Sequence, residues 1–303
     1  MARGGPKAAL EHKVNSYNAV EVVDPRSHAG YKGLEEGEAA QLTPTDPREF
    51  ERDLWQSLQC WRKEGRKGVW LRIGIGASDL IPVAVQAGFV FHHAEDSYVM
   101  LSAWLAAEHE NKLPPGPSHF IGVAGFVVNS KNEVLCIREK SGPSARLKDF
   151  WKLPGGLVDQ QEDLRDAVVR EVLEETGLRT RFKQMASIQE IHHVGQRAGP
   201  AREGTTDLYC ICVLEAEDET QTLVPQEEEI AACQWVPVDT LLNSRYYSRE
   251  GTVFATMFRA AAKVASGNAS GLESEHLQFG LAPGSNTVYA ADFGSIKSRK
   301  SKL

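Results

Sequence analysis

Hydrophobic and polar positions alternate in two blocks along the chain, and a proline-rich segment at residues 114–117 separates the blocks. In the first block, apolar residues at helical spacing follow Asp46, and Pro47 suits the first turn of a helix. Period-two patterns predict strands around this helix. The predicted elements are strands at 14–23 and 68–75, the helix after Asp46, a helix up to Ala87 capped by Ser78 or Asp79, and a strand and turn at 89–105.

The second block predicts a mixed order of strands and helices. Strands at 120–128 and 133–138 are joined by four polar residues, which predicts a β-hairpin. Helical spacing of apolar residues follows from about residue 162 to residue 176, and Gly177 then supplies a helix stop. The other predicted elements are strands at 182–191 and 207–214, a short strand from residue 235, and a helix at 249–265.

These patterns predict an α/β protein with two domains. The linker is the clearest boundary, because clustered prolines and glycine interrupt regular structure. We expect a flexible N-terminus at 1–13, an N-terminal α/β domain at 14–112, a linker at 113–118, a second domain at 119–265 and a flexible tail at 266–303.

The composition narrows the class of protein. The chain has 303 residues, of which 42% are hydrophobic and 25% charged, as in ordinary globular proteins. Its net charge of −7 gives no electrostatic reason to expect nucleic-acid binding. We find no apolar run of membrane-spanning length and no secretory leader. The five cysteines lack C-x-x-C spacing and predict reduced thiols.

The last three residues, Ser301, Lys302 and Leu303, follow a basic, serine-containing stretch. A terminal S-K-L is an address for peroxisomes that an import receptor reads. We therefore expect this receptor as a partner and a peroxisomal location, with a cytoplasmic location as the alternative.

Candidate functional residues are densest at 156–177, which read G-x5-E-x7-R-E-x-x-E-E-x-G. Glu171, Glu174 and Glu175 stand at i, i+3 and i+4 of the predicted helix, so their carboxylates share one patch. Like charges this close repel each other unless a cation neutralises them. Clustered hard oxygen ligands suit Mg²⁺ or Mn²⁺.

The alternative interpretation of these glutamates is a solvated acidic helix face. However, Glu171 and Glu175 fall beside the apolar stripe of the helix, where a merely solubilising charge is not expected. Arg170 can pair with Glu174 or with Glu162 and thereby orient the carboxylates. The pattern therefore favours a metal site.

The pattern at 156–177 is identified as the signature of the Nudix hydrolases, which cleave a nucleoside diphosphate linked to another moiety. The chain also resembles a subgroup of this family that has an extra N-terminal domain. This subgroup contains plant enzymes that cleave ADP-ribose and NADH, and the vertebrate antisense fibroblast-growth-factor protein. The segments that carry this resemblance are 70–71, 87–89, 92–95, 98–101, 118–119, 151–154 and 206–209.

The resemblance implies a Nudix α/β/α sandwich preceded by a small α/β domain. It also implies a magnesium-dependent attack of water on a phosphorus atom. Glu162 and Arg170 would hold the loop and the helix in register. The implied metal ligands are Glu171, Glu174, Glu175 and the backbone carbonyl of Gly156.

The catalytic base has two candidate positions. One is Glu175, and the other is the acidic run that contains Glu228 and Glu229, although such a run is more typical of solvated surface. His193 lies where the subgroup carries a histidine near the site, so it is either a substrate contact or an ordinary core or surface residue.

The resemblance favours ADP-ribose or NADH as the substrate. A coenzyme A or acyl-CoA diphosphatase is the alternative, although the pattern of that group upstream of the signature is missing. Also missing are the proline that some ADP-ribose enzymes carry at the position of His193 and the downstream array of the peroxisomal NADH-cleaving group. A rival of another class is a Nudix-fold protein that binds a partner without catalysis. The intact carboxylate set argues against this rival.

Overall fold

The computed structural model describes residues 7–28, 46–192, 204–276 and 287–291. Contacts within the chain divide it into two compact units, Met1–Pro117 and Ser118–Leu303. Both units combine strands with helices, as the α/β prediction requires. Across the described ranges, no helix has the length and apolar character needed to cross a membrane.

The first unit contains a five-stranded sheet in the order β1-β2-β3-β5-β4. The β2 and β3 strands are parallel, and the other neighbours are antiparallel. The described part of this unit contains two α-helices, α1 (Pro47–Lys63) and α2 (Ile81–Gln86). The strands are β1 (His12–Val14), β2 (Val20–Val22), β3 (Gly68–Gly74), β4 (Val90–Glu95) and β5 (Tyr98–Trp104).

Helix α1 forms where the sequence predicted it. The Asp46 side chain accepts a hydrogen bond from the backbone N–H of Arg48, and Pro47 occupies the first turn. The apolar face of the helix packs into the core of the first unit. Its buried apolar residues are Phe50, Leu54, Leu58, Cys60 and Trp61.

Three expectations for the first unit are wrong. The single strand predicted at 14–23 is instead an antiparallel pair, β1 (His12–Val14) and β2 (Val20–Val22), joined by a turn in which Asn18 has a φ of 59°. The N-terminus is fixed from about Leu10, which is 1% exposed and donates its backbone N–H to the Ser57 hydroxyl. Ser78 and Asp79 do not cap α2, because both lie inside a 3₁₀ helix, Ile75–Leu80.

In the described part of the second unit, two of the three small sheets form the layer between the helices, and the predicted Nudix α/β/α sandwich is confirmed. One sheet has the order β6-β9-β8, with β9 parallel to β6 and antiparallel to β8. The other sheet pairs β7 with β10. The strands are β6 (His119–Val127), β7 (Glu133–Glu139), β8 (Thr180–His192), β9 (Thr206–Ala216) and β10 (Ile230–Pro237).

Helices α4 and α6 cover opposite faces of the three-stranded sheet. Val123 and Val127 of β6 pack in the same cluster as the residues of α4, whereas Ala124 and Phe126 pack with residues of α6. This alternation follows from the period-two geometry of a strand. The helices of the unit are α3 (Gly142–Ala145), α4 (Leu164–Thr176), α5 (Val238–Leu242) and α6 (Val253–Ala265).

The hairpin predicted between β6 and β7 is not formed as a paired ladder. The turn exists, because the N–H of Asn129 donates to the carbonyl of Glu133 and Asn132 has a φ of 58°. Beyond the turn only Val128 and Val134 form a bridge, after which β6 joins β9 and β7 joins β10. The two strands therefore belong to different sheets.

The tail expected to be flexible from residue 266 contains an antiparallel pair of strands. These are β11 (Glu273–His276) and β12 (Thr287–Ala290), which pair in register. Just before β11, Leu272 bridges to Met185 of β8. In its described part, the tail is therefore built onto the second unit.

Candidate active site

Helix α4 presents its three glutamates at different depths. It ends at Gly177, whose φ of 70° is left-handed, as the sequence predicted. Packing of its apolar face, formed by Ala167, Val168 and Val172, sets the rotation of the helix. Glu175 is consequently 6% exposed. The Glu171 side chain is 14% exposed and that of Glu174 is 50% exposed.

Glu175 is a buried carboxyl at the edge of the core. Its Oε2 accepts a hydrogen bond of 2.6 Å from the backbone N–H of Gly155. Burial raises the pKa of Glu175 to about 7, against the opposing effects of that hydrogen bond and of the Lys152 charge. Near neutral pH this carboxyl is therefore divided between its protonated and charged forms in the absence of a cation.

Glu171 lies against the loop that precedes the helix. A Cβ atom placed on Gly156 would meet the Glu171 carboxylate at 2.6 Å, so the carboxylate occupies the space of a side chain at that position. Burial raises the pKa of Glu171, and the neighbouring Arg170 guanidinium opposes the shift. Glycine at position 156 thus allows the carboxylate to approach the backbone closely.

The loop that carries these glycines is fixed on β6. The N–H of Val123 donates to the Gly156 carbonyl at 2.9 Å, and the N–H of Gly125 donates to the Pro154 carbonyl at 2.9 Å. Gly155 has a φ of 153°, and a Cβ there would lie 2.1 Å from the Val123 carbonyl oxygen. The backbone groups facing the helix are therefore held rigidly.

Arg170 connects the loop with the carboxylates. Its Nε and Nη2 each lie 2.8 Å from one oxygen of Glu162. Its Nη1 lies 2.9 Å from Glu171 Oε1 and 3.1 Å from Glu174 Oε2. The fourth partner is the Leu157 carbonyl, at 3.1 Å from Nη2. The Arg170 hydrogen bond holds the pKa of Glu162 below its usual value, and both predicted pairings of Arg170 are formed.

The chemistry of the donor set fits a hard divalent cation. The described part of the chain contains no group of three or more histidine, cysteine, aspartate or glutamate side chains that is already arranged to hold a metal ion. Arg170 instead supplies the positive charge beside Glu171 and Glu174. The Gly156 carbonyl uses one lone pair for Val123 and retains a second. Three carboxylates and this carbonyl are the oxygen donors that Mg²⁺ and Mn²⁺ take.

The structure adds residues near Glu175 to which the sequence assigned no role. Lys152 forms an ion pair with Glu139, and both charges act on Glu175. The Ser144 hydroxyl donates to Glu139. Burial and then the Glu175 charge raise the pKa of Tyr209. Lys152 and Tyr209 lie within the segments 151–154 and 206–209 that carried the subgroup resemblance.

The other predicted residues have no described side-chain contact with the carboxylates, although the backbone N–H of Gln226, just before the acidic run, donates to the Glu175 carbonyl at 3.3 Å. Glu228 and Glu229 are exposed in the turn before β10, and no hydrogen bond or ion pair between described residues joins their side chains to Glu175. His193 and the terminal segment 301–303 lie outside the described residues. The acidic run therefore has the solvated character that its composition suggested.

Comparison with known proteins supports the resemblance in both units. The model of the Nudix hydrolase domain matches residues 10–105, and that of the NUDIX domain matches residues 118–257. Nudix hydrolase 7 of Arabidopsis thaliana is 32% identical over 243 residues, which cover 80% of this chain and 80% of the relative. Nucleoside diphosphate-linked moiety X motif 6 of Homo sapiens is 38% identical over 201 residues, which cover 66% of this chain and 60% of the relative.

A further relative, Nudix hydrolase 8 of Arabidopsis thaliana, is 38% identical over 196 residues, 64% of this chain, but the match spans only 50% of the relative's own length. The first domain match ends at residue 105 and the second begins at residue 118, so the two matches fall on opposite sides of the boundary between the compact units. From the domain matches, the similar relatives and the complete signature at 156–177, the chain belongs to the Nudix hydrolase family and carries an additional N-terminal domain.

Proposed function

We propose that this chain hydrolyses the diphosphate linkage of a nucleoside diphosphate derivative with the help of Mg²⁺. The observation that carries the proposal is the burial of Glu175 beside Glu171, which raises the pKa of both carboxyls. Such an arrangement costs folding free energy unless a cation binds it, and a purely solvated helix face would not create it. Nudix hydrolases generally use divalent metal cations.

The proposed ligands are Glu171, Glu174, Glu175 and the Gly156 carbonyl. A bound Mg²⁺ would neutralise the diphosphate and lower the pKa of a bound water molecule. Arg170 orients two of the carboxylates, since its Nη1 contacts both Glu171 and Glu174. The two-point pair of Arg170 with Glu162 fixes the guanidinium in turn.

Glu175 is the stronger candidate for the catalytic base. Its Oε2 is held by the Gly155 N–H, which leaves Oε1 to accept a proton. In the metal-free chain burial raises the pKa of Glu175 to about 7, and a bound cation would hold the carboxylate in its charged, proton-accepting form near neutral pH. Glu228 and Glu229 are exposed and have no described contact that would orient them toward the site.

ADP-ribose and NADH are the proposed substrates. Support comes from the resemblance to the plant subgroup in both domains. Coenzyme A compounds are the second candidate.

The test is a hydrolysis panel with Mg²⁺, Mn²⁺ or a chelator, in which ADP-ribose, NADH and coenzyme A are separated from their nucleotide products. We expect metal-dependent turnover of ADP-ribose or NADH, and loss of turnover in Glu174→Gln with an unchanged circular dichroism spectrum. Glu217→Gln, an exposed glutamate outside the signature, is the matched control. A folded protein that hydrolyses none of these compounds would contradict the proposal and favour the non-catalytic, partner-binding alternative.

A further inference from the structure

The strand pair β11–β12 lies against both β8 and the start of α4. Leu272 exchanges two backbone hydrogen bonds with Met185 of β8, at 2.7 and 2.9 Å. The ring of Tyr289 meets that of Phe182 edge to face, with centroids 6.1 Å apart. Leu272, Tyr289 and Phe182 all pack against the apolar cluster beneath α4. The strand pair therefore has a fixed place in the second unit.

Helix α4 lacks the usual cap at its first residue. Asp163 occupies the N-cap position, but its side chain makes no capping hydrogen bond. The backbone N–H of Arg165, which such a cap normally satisfies, donates to the Tyr289 hydroxyl at 3.0 Å. The Asp163 carboxylate instead accepts a hydrogen bond of 2.8 Å from the Thr287 hydroxyl. Two residues of β12 thus replace the local cap.

The Tyr289 hydroxyl is suited to this role over the whole physiological range. Its oxygen accepts the Arg165 N–H, and burial raises the pKa of the phenol to about 12, so the group stays neutral. The Arg165 side chain also lies 3.4 Å from the Ser274 hydroxyl of β11. Both strands of the pair therefore contact the first turn of α4.

The capped turn is adjacent to the residues that arrange the carboxylates. Asp163 directly follows Glu162, whose carboxylate holds Arg170 at two points. Arg170 in turn contacts Glu171 and Glu174. A change in the direction of the chain at Asp163 would accordingly move Glu162, and with it the guanidinium between the carboxylates.

We propose that Tyr289 and Thr287 are positioning residues for the carboxylate site, and that the β11–β12 pair is required for the geometry of this site. Through the first turn of α4 they keep Glu162 and Arg170 in the arrangement that orients Glu171 and Glu174. This proposal rests on the proposed metal-dependent function, because it assigns the strand pair a role in metal binding.

The experiment uses the full chain with Tyr289→Phe, Thr287→Val and the double variant. Tyr289→Phe removes one hydroxyl and keeps the ring on Phe182. Thr287→Ser should restore the bond to Asp163, and Tyr17→Phe is the matched control, since Tyr17 is 83% exposed and lies in the other unit. Amide hydrogen exchange is measured on the metal-free protein, and Mn²⁺ affinity is measured by electron paramagnetic resonance.

We expect the Arg165 amide to exchange at least about tenfold faster in the double variant, because its N–H loses its acceptor. We expect Mn²⁺ affinity to fall roughly 3–10-fold, with kcat falling while KM for ADP-ribose changes little. Thr287→Ser and Tyr17→Phe should match the unaltered chain. Faster amide exchange with unchanged Mn²⁺ affinity and kcat would show that the strand pair is only a structural cap, which would overturn the proposal. Unchanged values of all three quantities would also overturn it. A failure of the unaltered chain to bind Mn²⁺ would instead contradict the proposed function.

Discussion

Arg170 and Glu162 form a two-point ion pair in which Nε and Nη2 of the guanidinium each meet one carboxylate oxygen at 2.8 Å. Glu162 precedes α4 and Arg170 lies in its second turn, so the pair ties the loop to the helix. The remaining Nη1 is directed to Glu171 and Glu174. One planar group thereby fixes three carboxylates relative to one another, which a single point charge cannot do.

Arg170→Lys should therefore impair the site although the positive charge is kept. Lysine has no fork with which to hold Glu162 at two points while also contacting Glu171. We expect Mn²⁺ affinity and kcat to fall about 10–100-fold, as is typical when an orienting partner of a metal ligand is lost. The matched control is Arg181→Lys, an exposed arginine paired with Glu215, which should leave both quantities unchanged. Equal affinity in the two variants would show that only the charge of Arg170 matters.

Glu175→Gln should stabilise the metal-free protein at about pH 8 while it abolishes hydrolysis. The folded-state pKa of about 7 lies above the ordinary value of 4.5. Below the ordinary pKa the carboxyl is protonated in both the folded and the unfolded state, so its ionisation does not change the free energy of unfolding. As pH rises from there toward 7, only the unfolded state releases the proton, so folding loses stability.

Glutamine keeps an oxygen for the Gly155 N–H and carries no charge. We expect the free energy of unfolding at about pH 8 to increase by on the order of 2–3 kcal/mol in the presence of a chelator, and by little at about pH 4. Denaturant unfolding at both pH values measures this difference. A gain of the same size at both pH values would assign the effect to packing rather than to the buried charge.

The sequence was sufficient for the parts of the site that one helix determines. Helical spacing predicted one patch for Glu171, Glu174 and Glu175, and it set Glu171 and Glu175 beside the apolar stripe, where the structure buries Glu175. The pairing of Arg170 with Glu162 also followed, because only a short loop separates Glu162 from the helix. Local periodicity carries this information without knowledge of the rest of the fold.

Contacts between distant segments were not visible in the same way. Polar residues at 129–132 correctly predicted a turn, but the partner of each flanking strand is chosen by the whole sheet and lies far away in sequence. Thr287 and Tyr289 lie 124 residues from their partners at the start of α4, inside a glycine- and serine-containing tail. The glycine and serine content predicted a flexible tail. Composition alone cannot show that the Tyr289 phenol and the Thr287 hydroxyl replace the cap of a distant helix.

Gly156→Ala should displace Glu171, since a Cβ at this position would lie 2.6 Å from the carboxylate. Because the displaced atoms are the end of a flexible side chain, we expect a loss of unfolding free energy of up to about 1 kcal/mol and at least a tenfold loss of Mn²⁺ affinity. A double-mutant cycle with Glu171→Ala supplies the control, because the shortened side chain leaves room for the new methyl group. The stability cost of Gly156→Ala should largely disappear in that background. An undiminished cost would locate the strain in the loop backbone instead.

Lys152→Gln should shift the pH dependence of hydrolysis toward higher pH. The Lys152 charge lowers the pKa of Glu175, whereas the charge of its partner Glu139 raises it. Removing the lysine takes away the favourable charge and leaves Glu139 without its counter-charge, so both effects raise the pKa of Glu175. We expect the acidic limb of the kcat profile to move up by roughly 0.5–1 in pH. Lys183→Gln, which removes an exposed lysine paired with Glu215, should leave the limb in place. If the limb in Lys152→Gln stays fixed or moves to lower pH, Glu175 is not the group whose deprotonation the profile reports.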